Sequence, residues 1–264
     1  MTDIIASVEL TDLLADEELT DDALTRDFRI WQRRRGHRYS LDDVATAWQA
    51  AEARPAARRY LDLGCGIGSV LLMVAWKLKT THAVGIEAQP LSAALARRNV
   101  LHNGLEGRVV VVEGDLREVV ATRTDRFELV SGTPPYLPLG TALHSPDPQR
   151  AAARMELRGG IEAYLAAAAS VLSEDGRVVV CADGRHPERV TCGAAAAGLV
   201  PLLRRDAIAR AGAAEPLFSV WTLAREGCAE GAVLRHESLL IRDASGGQTE
   251  QARALRGFFG LGLG

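Results

Sequence analysis

The sequence lacks the features that mark a secreted, membrane-spanning or metal-dependent protein. Only four cysteines occur in 264 residues, and none forms a Cys-x-x-Cys pair. Because the histidines are also scattered, we expect reduced cysteines, no zinc site and no disulfides. No apolar run approaches the ~20 residues of a membrane span, and the start Met1-Thr-Asp has no basic residue of the kind that begins a secretory signal. These absences predict a cytoplasmic protein.

Neither sign of charge is in large excess, because the net charge is only −3. The charges are nevertheless unevenly placed. Residues 1–25 contain acids but no lysine or arginine, whereas residues 26–38 are rich in arginine and include Arg33, Arg34 and Arg35. This basic cluster could contact phosphates, or it could pair with the acidic segment beside it. The sequence leaves both interpretations open.

From Tyr60 onward, short apolar runs alternate with helical patterns, as a parallel α/β sheet requires. Strands are predicted near residues 59–63, 82–86, 108–113, 127–131 and 177–182. Helices are predicted near residues 68–78, 90–102, 116–121, 160–173 and 187–197. After residue 198 the pattern becomes β-rich, and residues 216–225 and 234–242 are predicted to form an antiparallel hairpin. A last helix is predicted over residues 249–259.

A glycine-rich turn follows the first predicted strand of this sheet. Its sequence runs Asp62-Leu-Gly-Cys-Gly-Ile-Gly68 and includes Gly64 and Gly66. Glycines allow a tight turn and a close approach of the backbone to a ligand, and the N–H groups of the following helix would point at that ligand. The pattern alone is weak, since many such turns bind nothing.

Acidic residues follow the next two predicted strands. Glu87 lies about 20 residues after the turn, the spacing of a carboxylate that accepts from two ribose hydroxyls. Asp115, followed by Leu116, could accept from the amine of a base. Acids after successive parallel strands indicate one extended ligand lying across the strand ends.

These residues resemble the class I S-adenosylmethionine-dependent methyltransferases. The resemblance implies a Rossmann-like fold with a mostly parallel twisted sheet, a C-terminal antiparallel strand pair and a small N-terminal extension. It also implies that Asp62 and the glycine turn hold the methionine moiety of S-adenosylmethionine, Glu87 the ribose and Asp115 the adenine.

A second motif, Thr133-Pro134-Pro135-Tyr136, follows the fourth predicted strand of the sheet. Consecutive prolines fix a rigid extended backbone. The motif resembles the Asn/Asp/Ser-Pro-Pro-aromatic signature of methyltransferases that act on a planar nitrogen. There the first side chain and the next carbonyl accept the amine hydrogens, and the aromatic ring stacks on the acceptor. This sequence departs from the pattern, because Thr133 has a hydroxyl where the signature more often has an amide or carboxylate.

Part of the chain resembles one branch of that family, the bacterial tRNA adenine-N6 methyltransferases. This resemblance implies a basic hairpin and a cofactor-covering helix at 26–55 and a methyltransferase domain at 56–264. The apolar positions among the acids of residues 1–25 predict a separate acidic helical extension. It adds Gln149 and Arg150 as candidate substrate contacts, in a predicted irregular connection over residues 137–158.

Three functions follow from these patterns. The first is adenine-N6 methylation of tRNA, with catalysis at Thr133, Pro134 and Tyr136. The second is N- or O-methylation of a small metabolite or a peptide, which the acidic arm and Thr133 favour. The third is a protein that binds S-adenosylmethionine without catalysis.

Overall fold

A computed structural model of the chain describes residues 18–137, 140, 145–229 and 231–262. The strands are β1 (Leu19–Ala23), β2 (Arg29–Arg33), β3 (Arg59–Leu63), β4 (His82–Glu87), β5 (Val109–Glu113), β6 (Phe127–Gly132), β7 (Leu172–Ala182), β8 (Leu199–Arg210), β9 (Phe218–Arg225) and β10 (Arg235–Arg242). The helices are α1 (Leu41–Ala53), α2 (Ser69–Lys77), α3 (Pro90–His102), α4 (Leu116–Ala121), α5 (Pro148–Arg154), α6 (Ile161–Val171), α7 (Pro187–Ala196) and α8 (Glu250–Phe258).

Eight strands form one sheet in the order β10-β8-β9-β7-β6-β3-β4-β5. β9 runs antiparallel to its neighbours β7 and β8, and the other neighbouring strands in this sheet are parallel. This confirms the predicted Rossmann-like α/β fold with a mostly parallel sheet; the antiparallel pairing near the C-terminal end joins β9 to β7 and β8. Two buried clusters lie on the two faces of the sheet, one with side chains of α1, α2 and α3 and one with side chains of α4, α6 and α7.

The predicted hairpin over residues 216–242 is wrong. β10 pairs with β8 in parallel and lies at the edge of the sheet, whereas β9 is inserted between β7 and β8. The physical reason lies in the burial of the two strands. Seven of the eight residues of β9 are buried, as an interior strand requires, whereas β10 is largely exposed and suits an edge.

The N-terminal part of the described chain is a separate hairpin of β1 and β2. The predicted helical extension is therefore wrong for Leu19–Ala23, and residues 1–17 lie outside the described residues. Cross-strand charge contributes to this pairing, because the Arg29 guanidinium lies 2.8 Å from the carboxylate of Asp21, its diagonal neighbour on the other strand.

The connection over residues 137–158 is also more regular than predicted. It contains α5, whose first turn begins with Pro148 and whose N-cap residue Asp147 accepts the Arg150 N–H at 2.9 Å. The physical reason is the acidic N-cap before proline, which is a strong helix start. Within the part of the chain that the structure describes, no helix is long and apolar enough to cross a membrane.

Candidate cofactor and acceptor site

The glycine turn lies between β3 and α2 and requires glycine at each of its three positions. Gly64, Gly66 and Gly68 have φ values of 62°, 56° and 90°, which side chains other than glycine rarely adopt. A Cβ atom at Gly64 would lie 2.2 Å from the hydroxyl of Tyr164, whereas none of the described atoms lies within 4 Å of a Cβ at Gly66. The backbone at Gly66 therefore faces open space, which a ligand could occupy.

Glu87, at the end of β4, holds this turn in place. Its Oε2 atom accepts the Gly66 N–H at 2.9 Å, and its Oε1 atom accepts the Gln89 N–H at 2.7 Å. Burial raises the pKa of Glu87, although these backbone donors oppose the shift. Glu87, Gly64 and Gly66 line one cavity, called here the cofactor cavity.

Asp115 and Leu116 line the same cavity at the start of α4. The Asp115 carboxylate caps this helix by accepting the Arg117 N–H at 3.0 Å, and it forms an ion pair with the Arg117 guanidinium at 2.6 Å. Hydrogen bonds from the Arg117 side chain lower the pKa of Asp115, so that it stays a carboxylate. A base amine that bound here would share the carboxylate with Arg117.

Asp62 lies at the end of β3, beneath the cavity rather than among its lining residues. The Ser131 hydroxyl donates to its Oδ1 atom at 2.5 Å, and the Tyr60 hydroxyl lies 2.6 Å from Ser131 Oγ. Burial raises the pKa of Asp62 to about 7. Gly68 likewise lies outside the lining residues, and its role is to allow the chain to enter α2.

Two further lining residues, Asp43 and Tyr164, were not predicted. Asp43, in the first turn of α1, accepts the Ser40 N–H at 2.9 Å, and burial raises its pKa well above the ordinary range. Tyr164 reaches the glycine turn from α6. Neither residue stands at a spacing that marks a motif. The signal that could have pointed to Asp43 is its place in a segment that was expected to cover the cofactor.

The Thr-Pro-Pro-Tyr motif follows β6 and has two sides. Thr133 and Pro135 line the cofactor cavity. Pro134 and Tyr136 line a smaller cavity, and the Tyr136 hydroxyl lies 3.1 Å from Asp42 Oδ2 and 2.7 Å from Cys181 Sγ. Tyr136 thus attaches the motif to α1. It does not line the cofactor cavity.

The predicted substrate residues Arg33, Gln149 and Arg150 contact other parts of the protein. The Arg33 guanidinium lies 2.9 Å from the Asp147 carboxylate and 3.1 Å from Gln149 Oε1, and Gln149 is only 2% exposed. Arg150 donates to the carbonyl of Gly36 at 3.0 Å. These contacts join the segment of residues 33–36 to α5 and its N-cap, and Gln149 also lines the cofactor cavity.

The remaining arginines of the basic cluster differ in their partners. Arg34 forms an ion pair with Glu18 at 2.7 Å and Arg38 with Asp22 at 2.9 Å, which supports the interpretation that the cluster pairs with the acidic arm. Arg35 is exposed and forms no ion pair with any residue that the structure describes. It therefore stays a candidate for contact with an external anion.

Residues 43–191, more than half of the chain, match the methyltransferase small domain family. The chain belongs to this family, which agrees with the predicted enzyme class, a methyltransferase.

Curated relatives have methyltransferase names, and a solved structure shares the fold. The chain is 30% identical over 61% of its length to a tRNA1(Val) (adenine(37)-N6)-methyltransferase from Porphyromonas gingivalis, of which it spans 64%. It is 27% identical over 77% of its length to the protein of that name from Bacteroides thetaiotaomicron, of which it spans 84%. A crystal structure of a predicted O-methyltransferase from Agrobacterium tumefaciens shares the fold, with a TM-score of 0.60 and 19% identity over 83% of this chain and 97% of that one.

The residues around the cavity fit the cofactor. S-adenosylmethionine has a positively charged methionine end, a ribose and an adenine. Buried acids surround the glycine turn, with Asp43 in the cavity wall and Asp62 beneath it. Within the described residues, the Oδ2 atom of Asp62 has no hydrogen-bond partner, so the acid retains an acceptor for a nearby donor.

Proposed function

We propose that the protein transfers a methyl group from S-adenosylmethionine to the N6 amine of an adenine in tRNA. The observation that carries the proposal is the shared cavity. Thr133 and Pro135 of the acceptor motif line the same space as Gly66, Glu87 and Asp115. A planar amine held at the motif would therefore lie beside the bound cofactor.

The cofactor supplies a methyl group that its sulfonium already makes reactive, so the protein's task is mainly to position the acceptor. The Thr133 hydroxyl and the backbone carbonyl beyond it are the acceptors available for the hydrogens of the amine. The two prolines restrict the backbone that carries these groups. The contact between Tyr136 and Asp42 holds the motif against α1. No strong base is needed, since the amine can lose its proton after transfer.

Three further features support an RNA acceptor. Both relatives named above act on an adenine of tRNA according to their names. Arg154 and Arg158 are exposed near the cavity, and neither forms an ion pair within the described ranges. Arg35 adds a third cation of this kind, and such groups are suited to phosphate contacts.

The proposal is tested by incubating the protein with radiolabelled cofactor and separate RNA, protein and small-molecule fractions of a cell extract. We expect label in tRNA, and nuclease digestion should release it as N6-methyladenosine. Label confined to protein or small molecules would refute adenine as the acceptor, but it would still show that the protein is a methyltransferase.

One observation favours a second acceptor class. Thr133 offers a hydroxyl rather than an amide at the cavity wall, so a metabolite or peptide acceptor is the alternative. Thr133→Asn separates the two: it should maintain or raise single-turnover rates on an adenine-containing RNA, whereas on an aliphatic amine, carboxylate or hydroxyl it should lower them.

A further inference from the structure

A second cavity of about 440 Å³ lies between the N-terminal hairpin, the start of α1 and the C-terminal helix α8. Its apolar lining residues are Leu41, Val44, Ile241, Ala252, Leu255 and Leu261. Its cationic lining residues are Arg38, Arg242 and Arg256. A cavity of this size that combines apolar walls with a few charged groups has the properties of a ligand site.

The cationic charge of the second cavity is only partly neutralised. Asp22, the acid that lines it, forms an ion pair with Arg38 at 2.9 Å. Arg242 donates to the carbonyl of Gly246 at 2.8 Å, and Arg256 is exposed; neither forms an ion pair with another of the described residues. Two positive charges are thus available beside an apolar surface.

The second cavity is close to the reaction site. Tyr39 lines both the second cavity and the cofactor cavity. Its hydroxyl donates to the carbonyl of Ala23 at 2.8 Å. This hydrogen bond attaches Tyr39 to the N-terminal hairpin. A chain bound at the acceptor motif could therefore extend past Tyr39 into the second cavity.

We propose that the second cavity binds a nucleotide of the RNA that flanks the target adenine. A phosphate would contact Arg242 and Arg256, and the base would pack against the apolar wall and Tyr39. Single-stranded RNA is commonly recognised in this way, with splayed bases on aromatic or apolar surfaces and arginines on the backbone. A purely aliphatic ligand would leave the arginines unused, and a simple inorganic anion would leave the apolar wall unused.

This inference rests on the proposed function, and matched arginine variants of α8 test it. Arg256→Ala removes a cation from the cavity. Arg253→Ala removes the same charge from the same helix, but Arg253 is not among the residues that line the cavity. With a tRNA transcript, Arg256→Ala should raise KM about fivefold and reduce the salt slope of binding by about 0.7, the value for one single-strand phosphate contact. Arg253→Ala should change neither, and cofactor affinity should be equal in both variants.

A third variant tests the volume rather than the charge. Gln248 lines the second cavity from a loop, and Gln248→Trp should fill part of the space and raise KM for RNA without weakening cofactor binding. The inference would be overturned if Arg256→Ala and Arg253→Ala had equal effects. It would also be overturned if Arg256→Ala and Gln248→Trp both kept the wild-type KM. If the wild-type protein methylates no RNA, the proposed function fails and this inference fails with it; if it methylates RNA and the variants behave like wild type, only the inference fails.

Discussion

The two halves of the site are built in different ways. The cofactor half comes from the turns that follow β3, β4 and β5, neighbouring parallel strands whose ends meet at one edge of the sheet. The acceptor half combines the turn after β6 with a hairpin and a loop that are more than 100 residues apart, as the contact between Arg33 and Gln149 illustrates. The first half can be inferred from spacing along the chain, whereas the second depends on which distant segments meet.

Charge is also used differently in the two halves. Carboxylates that face the cofactor cavity, such as Glu87, are held by backbone N–H groups. Arginines of the hairpin segment are mostly paired with acids of the same chain, as Arg34 is with Glu18. The number of arginines in a basic cluster is therefore larger than the number of positive charges that are free to bind RNA.

The largest expected effect is a loss of stability when Arg33 is replaced, because its ion pair with Asp147 holds two segments of the fold together. The side chain of Arg33 is 8% exposed and that of Asp147 is 19% exposed, and removing one partner of a buried ion pair costs about 3–5 kcal/mol. Arg33→Ala should therefore lower the free energy of unfolding in urea by about that amount. The control is Arg34→Ala, whose exposed ion pair contributes about 0–1 kcal/mol. Similar losses in the two variants would contradict this division of roles.

The next effect concerns the cofactor half. Glu87→Ala removes the acceptor for the Gly66 N–H and the proposed contact to the ribose, and charge-assisted hydrogen bonds contribute about 1.5–3 kcal/mol each. Calorimetry should show that the affinity for S-adenosylmethionine falls about tenfold or more. Glu113→Ala is the control, because Glu113 lies opposite Glu87 in the sheet but pairs with Arg97. Unchanged affinity in folded Glu87→Ala would remove this residue from the site.

A further effect depends on pH. The pKa of Asp62 is raised to about 7 in the folded protein and is about 3.9 in an unfolded chain. Between these values the folded state binds more protons than the unfolded state, so stability should fall as the pH rises from about 4 to 7, by up to about 1.4 kcal/mol per pH unit from this group.

Thermal unfolding of wild type and Asp62→Asn from pH 5 to 8 measures this dependence. Burial also raises the pKa of Asp43 and Glu87, and both acids contribute in the same direction in either protein. Because the charge of Asp62 also raises the pKa of Asp43, the difference between the two proteins reports Asp62 together with this coupling. Parallel stability curves would show that Asp62 stays ionised in the fold.

The smallest expected effect compares adjacent arginines. Arg35→Ala should reduce the dependence of RNA binding on salt by about 0.7–0.9 in log–log slope, the contribution of one phosphate contact. Arg34→Ala should leave the slope unchanged, because Glu18 already neutralises this side chain. Equal slopes in wild type and Arg35→Ala would mean that the hairpin makes no phosphate contact at Arg35.

Most elements of the sheet were predictable because periodicity and turn residues are local. α3 and α4 begin and end where the sequence predicted, and Pro90 starts α3 as expected. The pairing of β10 was not predictable, since a strand's hydrophobic pattern gives its burial but not its neighbour. The helix α5 was missed although its capping residue, Asp147, was visible in the sequence.

The sequence by itself determined the class of fold and the residues that meet at the cofactor cavity. Gly64, Gly66, Glu87 and Asp115 stand at fixed intervals after consecutive strands, and parallel strands bring such positions to one edge. Only the tertiary structure decided that Arg33 and Gln149 join the hairpin to the loop, and that Tyr136 contacts Asp42. These contacts bridge segments distant along the chain, and their partners are selected by packing and charge compensation in the folded protein rather than by any local pattern.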